Sequence, residues 1–204
     1  MVALIQDPLL EQELIAKRRE TGADRHDEVW EGVYVMSPLA NDEHQDIATG
    51  LSWVFYPVIQ GANLGQVRCG SNVSDRKDDW TKNYRCPDVA VFLKESAAEL
   101  CGAFWYGGPD FAVEIVSPHD RSREKLDFYA KVNTRELLII DRDPWSLELF
   151  RLADKKLVSA GISTIENGVA LASDVLPLSL KLIAGTPRPS IEIRHNDGEQ
   201  QWTV

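Results

Sequence analysis

Cysteine is scarce in this chain, and what there is does not pair by spacing. Cys69, Cys86 and Cys101 are three in number and widely separated, with no CxxC motif. That set argues against both a disulfide framework and a zinc knot, and fits free thiols in a reducing compartment. No stretch is long and apolar enough to cross a bilayer as a helix. The opening "MVALIQDPLLEQELIAKRRE" lacks the charged-then-apolar order of a secretory signal, so a cytoplasmic protein with no membrane partner is expected. The prolines and glycines are scattered, which leaves no low-complexity linker, and no internal repeat is present. Positive charge is in short supply: 22 Lys and Arg face 32 Asp and Glu, a net charge of −10. That balance argues against coating nucleic acid through bulk charge. It leaves room for an enzyme that touches DNA through a local basic patch and a metal. GxxxxGK[ST], GxGxxG and GxSxG are all missing, against nucleotide-driven chemistry, dinucleotide binding and a serine-hydrolase elbow. Ser117, His119 and Asp120 in "SPHDRS" suggest a triad on paper, but near-consecutive loop residues do not build the relay.

What is present suits one compact domain over 1–204, with 44% hydrophobic residues to fill its core. Residues 8–20 read as a helix. "DEVWEGVYVMSP" reads as a hairpin, with Glu31-Gly32 as its tight turn. Asn41 is an N-cap candidate for a helix reaching about Gln60, with Ile47, Leu51, Val54, Phe55 and Val58 as its apolar stripe and His44 on the same face. "GQVRCGSNVSD" and "NYRCPDVAVFLK" read as two strands joined by the polar stretch 75–83. Strand 111–117, helix 121–133 and strand 136–141 make a β-α-β unit. The apolar "ELLIID" marks a sheet covered on both faces. The core is expected over about 20–150. A C-terminal strand extension follows over 145–195, then a polar tail over 196–204. The extension carries no visible chemistry and offers a sheet edge, hence a possible homodimer surface.

Two carboxylates stand where a sheet should exclude them. Asp88 heads "VAVFL", and Glu114 lies inside "FAVEIV". Burying a lone charge costs several kcal/mol, so each must be paired, protonated or bound to a cation. A divalent ion such as Mg²⁺ answers two acids on neighbouring strands, with the backbone carbonyl of Ile115 as a third ligand. On the next helix Ser122, Lys125, Tyr129 and Val132 share one stripe, which turns Lys125 toward the sheet rather than solvent. The competing reading is a structural Glu114–Lys125 ion pair, with Asp88 only turning the chain after Pro87. Arg121 and Arg123 oppose the dipole of their own helix, so either a phosphate backbone or nearby acids must favour them. His44 reads either as a packing residue or as a rim residue touching substrate.

"CPDVAVF", "PDFAVEIVSPHDRSREKLDFYAKV", "ELLIIDRD" and the upstream "HDEVWEGVYVMSPLANDEHQ" together resemble the Uma-two family of restriction-endonuclease-like proteins, within the PD-(D/E)xK nuclease superfamily. The similarity spans roughly residues 20–150. It implies an α/β fold, a mixed β-sheet flanked by helices, here with extra C-terminal strands. It also implies a site that hydrolyses DNA phosphodiesters with Mg²⁺ or Mn²⁺. Carried over by position, Asp88 matches the aspartate of the PD motif and Glu114 the acid of (D/E)xK. Val116 occupies the usual lysine position, and Lys125 on the following helix matches the lysine as this family places it. Glu28, four residues before Gly32, matches an N-terminal glutamate that completes such sites. The expected catalytic set is therefore Glu28, Asp88, Glu114 and Lys125. Asp88, Glu114 and the Ile115 carbonyl are the metal ligands, and Arg121, Arg123 and His44 are candidates for contacting substrate. The alternatives are an inactive nuclease-fold interaction module, or a hydrolase of RNA or another phosphodiester.

Overall fold

The computed structural model describes residues 8–117 and 121–204. In chain order the elements are α1 (Pro8–Thr21), the hairpin β1 (Glu28–Trp30) and β2 (Val33–Val35), then α2 (Asp42–Phe55). Strands β3 (Gly65–Cys69), β4 (Asn72–Ser74), β5 (Tyr84–Arg85), β6 (Val89–Leu93), β7 (Glu99–Leu100), β8 (Phe104–Tyr106) and β9 (Phe111–Ile115) follow. A 3₁₀ turn, Ser122–Lys125, runs into α3 (Leu126–Lys131). The chain then forms β10 (Glu136–Arg142), β11 (Trp145–Ala153), β12 (Lys156–Ser163), β13 (Leu171–Ala172), β14 (Leu178–Ile183), β15 (Ser190–His195) and β16 (Gln201–Thr203).

The central sheet has the order β12-β11-β10-β9-β6-β3. Its pairings are antiparallel except for β9 with β10, which run parallel on either side of α3 as the β-α-β reading expects. Both faces are covered. Val113, Ile115, Leu138 and Ile140 pack with Ile47, Leu51 and Phe55 of α2 on one side. Ala112, Leu137 and Ile139 pack with Phe128 and Tyr129 of α3 on the other. Side chains alternate along a strand, so Glu114, between Val113 and Ile115, projects to the α3 face. This is a mixed sheet flanked by a few helices, the architecture expected.

A second sheet, β2-β1-β5-β4-β8-β7, stands beside the first, and the chain passes between them five times. Here two expected strands each divide. "GQVRCGSNVSD" breaks at Gly70, whose positive φ of 58° carries β3 out of the central sheet into β4 of the second. "NYRCPDVAVFLK" breaks at Cys86-Pro87-Asp88, with β5 in the second sheet and β6 in the central one. Proline cannot donate to a ladder, so the crossing falls there. The Gly70 N–H donates to the Asp88 carbonyl at 3.3 Å, which joins these two crossing points.

Other boundaries move for local reasons. Helix α2 ends at Phe55 and continues as a wide π-helical turn over Tyr56–Gly61, because Pro57 has no N–H for the ordinary i−4 bond. The helix expected over 121–133 is α-helical only from Leu126 to Lys131. In the hairpin, Glu31 and Gly32 both take positive φ, 48° and 88°, as a tight two-residue turn requires. β11 and β12 extend the central sheet, but β13 to β16 form a separate antiparallel sheet. Leu178, Leu180, Leu182, Ile191 and Ile193 of that sheet join the α2-side core. The expected polar tail is corrected at its end: Gln201–Thr203 pair with β15, and Val204 exchanges backbone hydrogen bonds with Ile191.

Candidate functional site

The crossing points at Gly70 and Asp88 and the face of α2 enclose an open cavity of about 280 Å³. Glu28, His44, Asp88, Glu114, Ile115 and Lys125 all line it. Each arrives by a different route. Glu28 begins β1, His44 lies in the first turn of α2, and Asp88 sits at the bend into β6. Glu114 stands near the C-terminal end of β9, and Lys125 closes the 3₁₀ turn before α3.

Lys125 is the hub. Its Nζ donates to Glu114 Oε2 at 2.8 Å and to Glu28 Oε1 at 2.9 Å. Tyr129, one turn further along the stripe, donates its hydroxyl to Glu114 Oε1 at 2.5 Å. Glu28 also accepts from the Cys86 N–H at 2.8 Å and from Trp30 Nε1 at 2.6 Å. Asp88 Oδ2 accepts from the Ile115 N–H at 2.7 Å, and His44 Nε2 lies 3.3 Å from Asp88 Oδ1. Glu28 and Glu114 are almost fully buried, whereas the Asp88 side chain keeps 19% of its surface.

Two carboxylates meet one ammonium and a third lines the same cavity, and the protonation of Glu114 reflects this setting. Burial pushes its carboxyl up to about 8; Lys125 opposes this, and Asp88 and Glu28 add to it. Burial, reinforced by Glu114 and Glu28, holds the Tyr129 phenol well above its usual range, so it stays a proton donor. The Cys86 thiol is pushed up by burial and by Glu28, and remains a neutral thiol.

Among the described residues, no group of three or more His, Cys, Asp or Glu side chains is arranged as a ready-made cation cage. The donor chemistry nonetheless fits a hard divalent ion that keeps most of its water and takes one or two carboxylates. Asp88, whose side chain is partly exposed, and Glu114 both line the cavity.

Of the substrate-contact candidates, His44 reaches the cavity wall, whereas Arg121 and Arg123 lie off it. Arg121 pairs with Glu124 and stacks on Trp30 at 4.3 Å. Arg123 is held by Asp141 at 2.7 Å and Glu148 at 3.0 Å. Both arginines thus have acidic partners. His119 and Asp120 fall outside the described residues. Tyr129 and Trp30 also bind the site carboxylates, and neither is among the site residues expected from sequence. The usable signals were spacing: Tyr129 is i+4 from Lys125 on a helix, and Trp30 is i+2 from Glu28 on a strand.

A profile of the Uma2 family, described as "Putative restriction endonuclease", matches residues 12–184, and the chain belongs to that family. A solved structure from Anabaena variabilis ATCC 29413, titled as a "putative nuclease belonging to DUF820", superposes with a TM-score of 0.58 at 18% identity. The match covers 72% of this chain and 80% of that one, and shows a shared fold. No curated protein matches the chain.

Proposed function

We propose that this protein is a metal-dependent nuclease that hydrolyses DNA phosphodiester bonds at the cavity between α2, β6, β9 and α3. The observation that carries the reading is that Glu28 and Glu114 meet on Lys125 in a cavity that Asp88 also lines. Family membership supports a nuclease; the residues support the particular chemistry.

Asp88, Glu114 and the Ile115 carbonyl are the groups that would hold Mg²⁺ or Mn²⁺. Such an ion, when bound, lowers the pKa of its water and neutralises charge on the scissile phosphate. Glu28 and Glu114 both accept from Lys125, so the ammonium is fixed rather than free to swing. From there Lys125 orients a water and offsets charge that develops on phosphate oxygens. Tyr129 fixes the second oxygen of Glu114. The pairing of both Glu114 oxygens also favours the rival reading, a structural ion pair in an inactive nuclease-fold module.

Plasmid cleavage separates the two. The expected result is nicking by the wild type with Mn²⁺ or Mg²⁺, abolished by chelator and reduced at least about 100-fold in Glu114→Ala and Lys125→Ala. Equal behaviour of all three proteins would leave the site assignment without support. An RNA and a small phosphodiester in the same panel test the substrate class.

A further inference from the structure

The site is built from elements distant in sequence, so something must hold the first turn of α2 against the end of β9. Arg142, at the end of β10, is placed to do that, and its side chain is only 9% exposed. Its Nε donates to the Val116 carbonyl at 3.0 Å, directly beyond the Glu114-Ile115 pair. Its NH1 donates to Asn41 Oδ1 at 2.8 Å and to Glu43 Oε1 at 3.0 Å. Asn41 is the N-cap of α2, and the same Oδ1 accepts from the His44 N–H at 3.0 Å. One guanidinium therefore spans from the strand that carries Glu114 to the helix turn that carries His44.

His44 then faces Asp88 across 3.3 Å through Nε2. Its other nitrogen, Nδ1, is buried and has no hydrogen-bond partner among the described residues. A histidine kept for packing alone would not leave a ring nitrogen orphaned; an apolar side chain would fill the space without that cost. The imidazole is explained by the nitrogen that meets Asp88. Asp88 is then held from two sides, by the Ile115 N–H on Oδ2 and by His44 at Oδ1.

We propose that His44 is a positioning residue for Asp88, held in register by Arg142 through the cap of α2. The inference rests on the cation-site reading above. It differs from a role for His44 in touching substrate, because the histidine acts through Asp88 and the effect falls on cation affinity.

The test measures Mn²⁺ binding, by the loss of the free-ion electron paramagnetic resonance signal, and metal-free thermal unfolding in parallel. Wild type, His44→Ala, His44→Gln and Arg142→Ala are compared. His44→Ala is expected to weaken Mn²⁺ binding by about 10-fold or more, the usual effect of losing a group that orients a ligand. Its metal-free melting should stay near wild type. His44→Gln, whose side-chain N–H reaches toward Asp88, is expected to recover most of the affinity. Arg142→Ala is expected to weaken binding as His44→Ala does. If it fails to fold, the two His44 variants decide the matter. Wild-type affinity in His44→Ala overturns the inference, and so does a directly coordinated nitrogen in the bound-Mn²⁺ spectrum, which would make His44 a ligand. Absence of Mn²⁺ binding in the wild type overturns both this inference and the cation-site reading.

Discussion

At the scale of single residues, Glu114 sets the behaviour of the site. Its folded-state carboxyl lies near 8, above an ordinary value near 4.5. The folded chain therefore keeps a proton that the unfolded chain releases across that window. Stability contributed by this group is intact below about pH 4.5 and falls as pH rises toward 8, by up to about 1.4 kcal/mol per pH unit. Urea unfolding of wild type and Glu114→Gln from pH 5 to 8.5, without metal, should show the wild type losing ground steadily. Parallel curves would contradict the assignment. Tyr129→Phe removes the hydroxyl from Glu114 and is expected to cost about 1–3 kcal/mol in the same assay. Glu114 was legible because an acid inside an apolar strand demands a partner, and Lys125 because it shares a stripe with the helix face on the sheet; Asp88 stands at the bend before β6 rather than within the strand. Glu28 was legible only through the family resemblance. Trp30 and Arg142 were not, since the contacts that matter join residues far apart in the chain. The partner of Arg121, Glu124, is three residues along the chain, whereas the partners of Arg123, Asp141 and Glu148, lie on strands that sequence spacing does not connect to it.

At the scale of elements, the backbone crossings place the site, and glycines mark where they are tight. Gly65 begins β3, and a Cβ there would run into the Phe92 carbonyl and Leu93 Cα of β6. Gly65→Ala is expected to cost about 1–3 kcal/mol by chemical denaturation, because neighbouring backbone cannot yield as a side chain does. The cap of α2 is another such point. Asn41→Ala removes the acceptor for both the His44 N–H and Arg142, and should destabilise by about 1–2 kcal/mol. The β-α-β unit, the hairpin turn and this cap were readable from periodicity and turn chemistry. The division of two strands at Gly70 and Pro87 was not. Each half has a strand pattern of its own, and only the sheet arrangement shows that the halves belong to different sheets. The π-helical end of α2 had a visible marker in Pro57, which the sequence reading passed over.

At the scale of the whole molecule, the C-terminal sheet stabilises the layer beneath it. Val204 packs so closely on Gly50 that a Cβ at position 50 would lie 2.6 Å from its Cγ1. Removing residues 201–204 should lower Tm by roughly 4–8 °C, taking about 2 kcal/mol of lost burial and 2–4 °C per kcal/mol at this chain length. An unchanged Tm would show that β16 contributes little. The net charge of −10 predicts that DNA affinity without a divalent cation is weak. The central claim, that Asp88 and Glu114 share a divalent ion beside Lys125, is tested most directly by calorimetric titration of Mn²⁺ into metal-free protein. The account predicts saturable binding by the wild type that disappears in both Asp88→Ala and Glu114→Ala. No binding by the wild type, or equal binding by all three, would contradict it.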